Sequence, residues 1–157
     1  SVLKGLDNMS SSVVLVATTN LLDSFDGALL RRFDKIVDFN RYTHQDLEDI
    51  ALIILNEMLS KFTFANRNTK LFKKILSLAS PLPMPGNLKN IIRSSIAFSD
   101  PNDGNDYLRK LYMQLCPSLE MNVHLLKEQG FTTREIEVLS AVPKSTVSRL
   151  LSKETKK

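Results

Sequence analysis

The segment Thr43–Phe62, THQDLEDIALIILNEMLSKF, shows most clearly which secondary structure this chain forms. Its apolar residues recur at steps of three and four, which is the spacing of one face of an α-helix. Thr43 and Asp46 stand at the spacing of a capping box, which marks a helix start. The segment therefore predicts one long amphipathic helix with a buried stripe of Leu47, Ile50, Ala51, Ile54, Leu55, Met58, Leu59 and Phe62.

Downstream of this helix the sequence predicts further helices. An apolar stripe over Thr69–Ala79 stops at a proline-rich loop, residues 81–86, because proline cannot continue a helix. Asn87 is suited to cap a third helix, and Tyr107–Leu115 has the pattern of a fourth. Residues 43–116 are therefore predicted to form an all-α domain.

Upstream, two apolar segments have the composition of β-strands. Val13–Thr19, VVLVATT, is a continuous β-branched and apolar run, which is typical of a strand buried on both faces of a parallel sheet. Lys35–Phe39, KIVDF, has a similar composition, and a short helix is expected over Gly27–Arg32. Strand, helix and strand predict an α/β fold for residues 1–42.

Residues 117–157 have the pattern of three short helices separated by tight turns, which is a helix-turn-helix layout. The predicted helices are Leu119–Gln129, Thr132–Ala141 and Pro143–Lys153, followed by a basic tail. Gly130 is a typical C-cap residue, and Thr132 with Glu135 has capping-box spacing.

Composition and charge restrict the classes of protein to which this chain can belong. The 157 residues carry a net charge of +4, which mildly favours an anionic partner. The one cysteine, Cys116, has no second thiol for a disulfide or a metal site, so we expect a buried apolar side chain in a reducing, cytoplasmic setting. No apolar run approaches the roughly 18 residues of a membrane span. The chain starts at Ser1, so we expect that it was cut from a longer polypeptide.

Several motifs together resemble those of the AAA ATPases. Leu6-Asp7, then VVLVATTN ending at Asn20, then DGALLRRFD over Asp26–Asp34, occur in the order and at the spacing found between Walker B and the arginine fingers of that family. With the helices behind them, the resemblance covers roughly residues 1–115. It implies an α/β remnant of an AAA core followed by an all-α lid, in a subunit that binds ATP and Mg²⁺ and forms a homo-oligomeric ring.

The resemblance implies roles for three residues of this region. Asn20 is the counterpart of sensor 1, and an amide at the end of a buried strand is placed to contact a γ-phosphate or a water. Arg32 is the counterpart of an arginine finger and Arg31 of its helper, since adjacent helical residues point about 100° apart. The alternatives are a turn-forming Asn20 and two surface arginines.

Met84–Asn90, MPGNLKN, resembles the sensor-2 region at the start of a lid helix. Gly86 would let the backbone approach the nucleotide, and Lys89 stands where relatives often carry arginine. Lysine keeps the charge but lacks the bidentate fork of arginine. We expect the neighbouring Arg93 to be a surface or ion-pairing residue.

The motifs that hold the phosphates themselves are missing. A Walker A loop needs two glycines five residues apart, and none of the five glycines of the chain has that spacing. No Asp-Glu dipeptide of a Walker B strand occurs either. We therefore expect the chain alone to be inactive, with ATP and Mg²⁺ bound mainly by an upstream part.

The segment from Gly130 to Leu151, GFTTREIEVLSAVPKSTVSRLL, resembles the helix-turn-helix of bacterial regulators and recombinases. The resemblance implies that the last helix faces double-stranded DNA, with Lys153 and the tail near phosphates. The alternative is a helical bundle that packs on the lid or on a protein, because Glu135 and Glu137 weaken the positive potential. A non-enzymatic DNA-binding or adaptor protein is therefore the rival function. The residues implied to face DNA are Lys144, Ser145, Thr146, Ser148 and Arg149.

Overall fold

The computed structural model describes residues 2–8, 10, 12–39, 41–117 and 119–154; for Val2, Leu3, Lys153 and Glu154 it describes the helix but not the side chain. The chain divides into two units, Ser1–Arg41 and Tyr42–Lys157. In the described residues, no helix is long and apolar enough to cross a membrane.

The first unit contains short helical elements joined by irregular backbone. They are α1 (Val2–Asp7), a 3-10 turn (Leu22–Ser24) and α2 (Gly27–Leu30). Asp26 caps α2, because its Oδ1 accepts a hydrogen bond of 2.9 Å from the N–H of Ala28. The helix predicted over Gly27–Arg32 is thus present but ends two residues earlier.

The α/β fold predicted for residues 1–42 is wrong. Val13–Thr19 and Lys35–Phe39 are irregular and exposed, and the part of the chain described by the structure contains no strand. A strand exists only through backbone hydrogen bonds to a neighbouring strand, and these two segments form no ladder with each other. The strand-like composition is real, but Val14, for example, remains 89% exposed.

The second unit is all helical. Its helices follow the predicted order, with boundaries that shift by a few residues. They are α3 (His44–Lys61), α4 (Thr69–Leu78), α5 (Pro85–Ala97), α6 (Asp106–Leu115), α7 (Val123–Glu128), α8 (Thr133–Ser140) and α9 (Lys144–Glu154).

Side-chain caps set most of these boundaries. The two predicted capping boxes are confirmed: Thr43 Oγ1 accepts from the N–H of Asp46 at 3.1 Å, and Thr132 Oγ1 accepts from that of Glu135 at 3.3 Å. Asn122 caps α7, which therefore starts four residues later than expected. Asn87 is not the cap of α5, because that helix starts at Pro85 and Asn87 lies in its first turn.

The second unit has one continuous apolar core. α5 packs against α3 and α6, and α6 also packs against α4 and α8. The predicted α3 stripe is buried except at Ile50 and Phe62, which are half-buried. Cys116 is buried, as expected. The largest buried side chains are those of Tyr107, Tyr112, Phe72 and Phe131.

Phe131 joins the last three helices to the rest of the core. Its ring meets that of Tyr112 edge-on, with centroids 6.3 Å apart, and the Nζ of Lys74 lies 4.8 Å from its centroid. The Tyr112 hydroxyl donates a hydrogen bond to Gln129 Oε1 at 2.8 Å. α7–α9 therefore share a core with α4 and α6. The domain boundary expected near residue 116 stays a prediction.

Replacing Phe131 with alanine should lower the free energy of unfolding by about 3–5 kcal/mol, because a fully buried ring is removed from the point where α6 meets α7 and α8. Urea denaturation followed by circular dichroism measures the change. Phe98, which is 79% exposed, is the matched control, and its alanine variant should stay within about 0.5 kcal/mol of the wild type. Equal losses in the two variants would contradict this account of the core.

Candidate functional site

Asn20 lies at an exposed bend between the segment 13–19 and the 3-10 turn. Beside it, Thr19 Oγ1 accepts a hydrogen bond of 2.9 Å from the N–H of Leu21. Among the described residues no strand precedes Asn20, so its amide does not lie at the edge of a sheet as the sequence led us to expect.

Arg32 is held in place by an acidic side chain from α1. Its Nε donates to Asp7 Oδ1 at 2.6 Å and its Nη2 donates to Asp7 Oδ2 at 3.0 Å. Its Nη1 donates to the carbonyl oxygen of Ala28 at 2.6 Å. A bidentate arginine–carboxylate pair fixes direction as well as distance. The guanidinium is therefore oriented across the first unit, from the end of α2 to the end of α1.

The ion pair shifts the pKa of both side chains. The hydrogen bond from Arg32 lowers the pKa of Asp7 and outweighs the opposing effect of desolvation. The same hydrogen bond raises the pKa of Arg32. Both side chains are partly exposed, so solvent and salt screen the attraction.

Arg31 differs from its neighbour. It is the C-cap residue of α2 and is exposed, and its side chain makes no ion pair with any residue that the structure describes. The two adjacent arginines, which follow the last helical residue of α2, thus have different surroundings. One guanidinium is engaged within the unit and the other faces solvent.

Residues 1–41 match the AAA family. The matching family model is that of the ATPase family associated with various cellular activities (AAA). The match covers about a quarter of the chain and contains Asn20, Arg31 and Arg32, which supports an AAA-family fragment. No curated protein and no solved structure matches the chain.

Gly86 and Lys89 lie outside the AAA match, at the start of α5. Both residues are exposed, and the space where a Gly86 side chain would stand is open. Met84 at the N-cap makes no side-chain hydrogen bond to the amide groups of the first turn. Lys89 lies near Glu57, whose pKa is lowered mainly by the hydrogen bond from Lys61 and slightly by the charge of Lys89. The start of α5 is thus an accessible and electropositive helix end.

The residues implied to face DNA lie on α9. Lys144, Ser145, Ser148 and Arg149 are exposed and Thr146 is half-buried. A three-residue turn with Ala141 in the left-handed region, φ 56°, connects α8 to α9. Glu137 Oε1 accepts a hydrogen bond of 2.8 Å from the N–H of Lys144, so a carboxylate already occupies the start of α9. The Lys153 side chain and the tail 155–157 lie outside the described residues.

Sequence reasoning missed two arginine networks. Asp7 was part of a motif, but nothing in the sequence indicated that it pairs with Arg32, which is 25 residues away. Arg109 binds Asp103 and Asp106 and donates to the carbonyl oxygen of Val138 at 2.8 Å, which ties α6 to α8. The i,i+3 spacing of Asp106 and Arg109 was the one local signal for this network.

Asp7 should titrate below the ordinary range of an aspartate, because Arg32 stabilises its charged form. The pair contributes fully to stability when the pH is above the ordinary pKa of an aspartate. This contribution is lost as the pH falls through the lowered pKa of Asp7. Carboxyl NMR of the Arg32→Gln variant should show a higher pKa for Asp7, whereas Arg31→Gln should leave it unchanged. An identical titration in all three proteins would show that the pair does not form.

Proposed function

We propose that this chain supplies the nucleotide-sensing residues, arginine fingers and helical lid of an AAA-type ATPase subunit. The AAA match over residues 1–41 carries the proposal, because it contains Asn20 and the Arg31-Arg32 pair. The subunit forms a homo-oligomeric ring in which these residues act on ATP and use its hydrolysis to remodel a macromolecule.

The arginines complete the site of a neighbouring subunit. A phosphoryl-transfer transition state accumulates negative charge, which a guanidinium supplied in trans stabilises. Arg32 is the finger, and it exchanges at least one of its bonds to Asp7 for a phosphate oxygen. Arg31, which is exposed, assists from the adjacent position. Asn20 contacts the γ-phosphate or the attacking water.

The lid responds to the same nucleotide. The uncapped start of α5 brings the backbone at Gly86 and the ammonium of Lys89 toward phosphate. Mg²⁺ neutralises phosphate charge when it is bound, but the described residues include no group of three or more side chains suited to hold a metal ion. Because the sequence contains no Walker A loop and no Asp-Glu dipeptide, a segment with a P-loop holds the metal and most of the ATP in this proposal.

In a subunit that joins this chain to a P-loop, Arg32→Ala should reduce ATP turnover by roughly 10³-fold while nucleotide binding is retained. Arg31→Ala is the matched control and should have a smaller effect. Steady-state hydrolysis and a fluorescent ATP analogue measure the two quantities.

The role in trans has its own test. Mixing Arg32→Ala subunits with subunits that have an intact Arg32 but a disabled P-loop should restore part of the turnover. Unchanged turnover in Arg32→Ala, or micromolar ATP binding with turnover by the 157-residue chain alone, would refute the proposal.

A second candidate is a DNA-binding or adaptor protein that keeps the lid only as a scaffold. The observation that favours it is the short α8–α9 turn followed by a helix with an exposed polar face. In a helix-turn-helix, this face of α9 enters the major groove. The Glu137 carboxylate at the start of α9 opposes that role, because it repels phosphate.

Selection from a random duplex pool tests the DNA-binding role of α9. If α9 contacts base edges, the chain should enrich one sequence, and Arg149→Ala should weaken that complex roughly tenfold or more and relax its specificity. Lys127→Ala, an exposed change on α7, is the control and should keep the preference. Absence of enrichment in the wild type would favour a helical bundle that binds protein.

A further inference from the structure

The positive charge of the chain is concentrated in one segment of the second unit. Residues 58–99 contain seven basic residues and no acidic residue, whereas the rest of the chain has 14 basic and 17 acidic residues, a net charge of −3. The overall charge of +4 therefore originates in this segment, which comprises the end of α3, all of α4 and all of α5. The seven residues are Lys61, Arg67, Lys70, Lys73, Lys74, Lys89 and Arg93.

Three of these cations form a distinct exposed group, which we call the α4 cation group: Arg67, Lys70 and Lys73. None of the three makes an ion pair with a residue that the structure describes. Lys70 and Lys73 are neighbours on the surface of α4 because they are three residues apart. Arg67 immediately precedes Asn68, the residue that caps this helix.

The helix that carries Lys70 and Lys73 is linked to the start of α8 through Lys74. Lys74 Nζ donates to Glu135 Oε2 and to the carbonyl oxygen of Gly130, both at 2.8 Å. Lys70 is one helical turn before Lys74, and the exposed Arg134 is the chain neighbour of Glu135. The cations of α4 and the start of the α8–α9 pair therefore lie on adjoining parts of the same unit.

The last three helices are nearly neutral by themselves. Between Val123 and Glu154 the chain has five basic and four acidic residues. Contacts of lysine and arginine with phosphate supply most of the non-specific affinity for DNA, so a nearly neutral module needs a basic surface elsewhere. In this chain, the segment without acidic residues contains that surface.

We propose that the α4 cation group contacts the phosphate backbone of double-stranded DNA whose groove is bound by α9. This inference rests on the proposed DNA-binding role of α9 and adds the surface that provides most of the electrostatic affinity. DNA is favoured over an acidic protein because Lys74 links α4 to the start of α8, and the first helix of a helix-turn-helix crosses the DNA backbone. The lysines act as point charges and read no sequence.

The test is a salt series of binding to a selected duplex by the 157-residue chain. The triple variant Arg67→Gln, Lys70→Gln, Lys73→Gln should lower the affinity roughly tenfold and reduce the slope of log K against log salt by about 2 to 3. The control Lys61→Gln, Lys89→Gln, Arg93→Gln removes the same charge from the same segment and should leave the slope nearly unchanged. Thermal denaturation confirms that each variant is folded.

The outcomes separate this inference from the function on which it rests. Loss of the slope in the α4 variant, with sequence preference retained, supports it. If Arg149→Ala weakens DNA binding and the α4 variant does not, the inference is overturned and the α9 proposal stays intact. If the α4 variant weakens DNA binding and Arg149→Ala does not, the result supports backbone contacts by the α4 cation group and ends the base-reading role of α9. Equal effects of the α4 variant and its control overturn the inference. So does binding of polyglutamate, but not of duplex DNA, through the α4 group.

Discussion

The second unit depends on the burial of Phe131 against Tyr112 and beneath Lys74. α7 and α8 have six and eight residues, too few to be stable as isolated helices in water. They gain stability because Phe131 and the apolar faces of α7–α9 join the core of α4 and α6. The direction of α9 is consequently fixed by a core that α7–α9 share with α4 and α6 rather than by a separate core.

Polar contacts add specificity to this packing. Burial alone would raise the pKa of Glu135, but hydrogen bonds from Lys74 and Thr132 outweigh it and lower the pKa. This one carboxylate therefore completes the capping box of α8 and also receives Lys74 from α4. Arg109 makes the corresponding link from α6 to the carbonyl oxygen of Val138. Such directional bonds select one register between helices that apolar contacts alone would allow to slide.

The sequence was sufficient for the helices and insufficient for the first unit, for a physical reason. Helical hydrogen bonds and caps such as Thr43 with Asp46 are local, so periodicity and capping residues predict them from short segments. A strand needs a partner, so the composition of Val13–Thr19 could not establish one. The same distinction applies to the candidate site. A local motif identified Arg31 and Arg32 as candidates. The hydrogen bonds from Arg32 to Asp7 depend on how α1 and α2 come together, and no short sequence pattern encodes that arrangement.

The wrong strand prediction changes the basis of the sensing hypothesis. Without a strand end, Asn20 is supported by the AAA match alone, whereas Arg32 has both the match and a defined environment. That environment also imposes a cost, because Arg32 must give up its hydrogen bonds to Asp7 before it can contact a phosphate, and water must replace them at the carboxylate. A neighbouring phosphate would therefore have to attract Arg32 more strongly than Asp7 does. Because both groups are partly exposed, the required difference is small, and an exchange between the two anions is physically accessible.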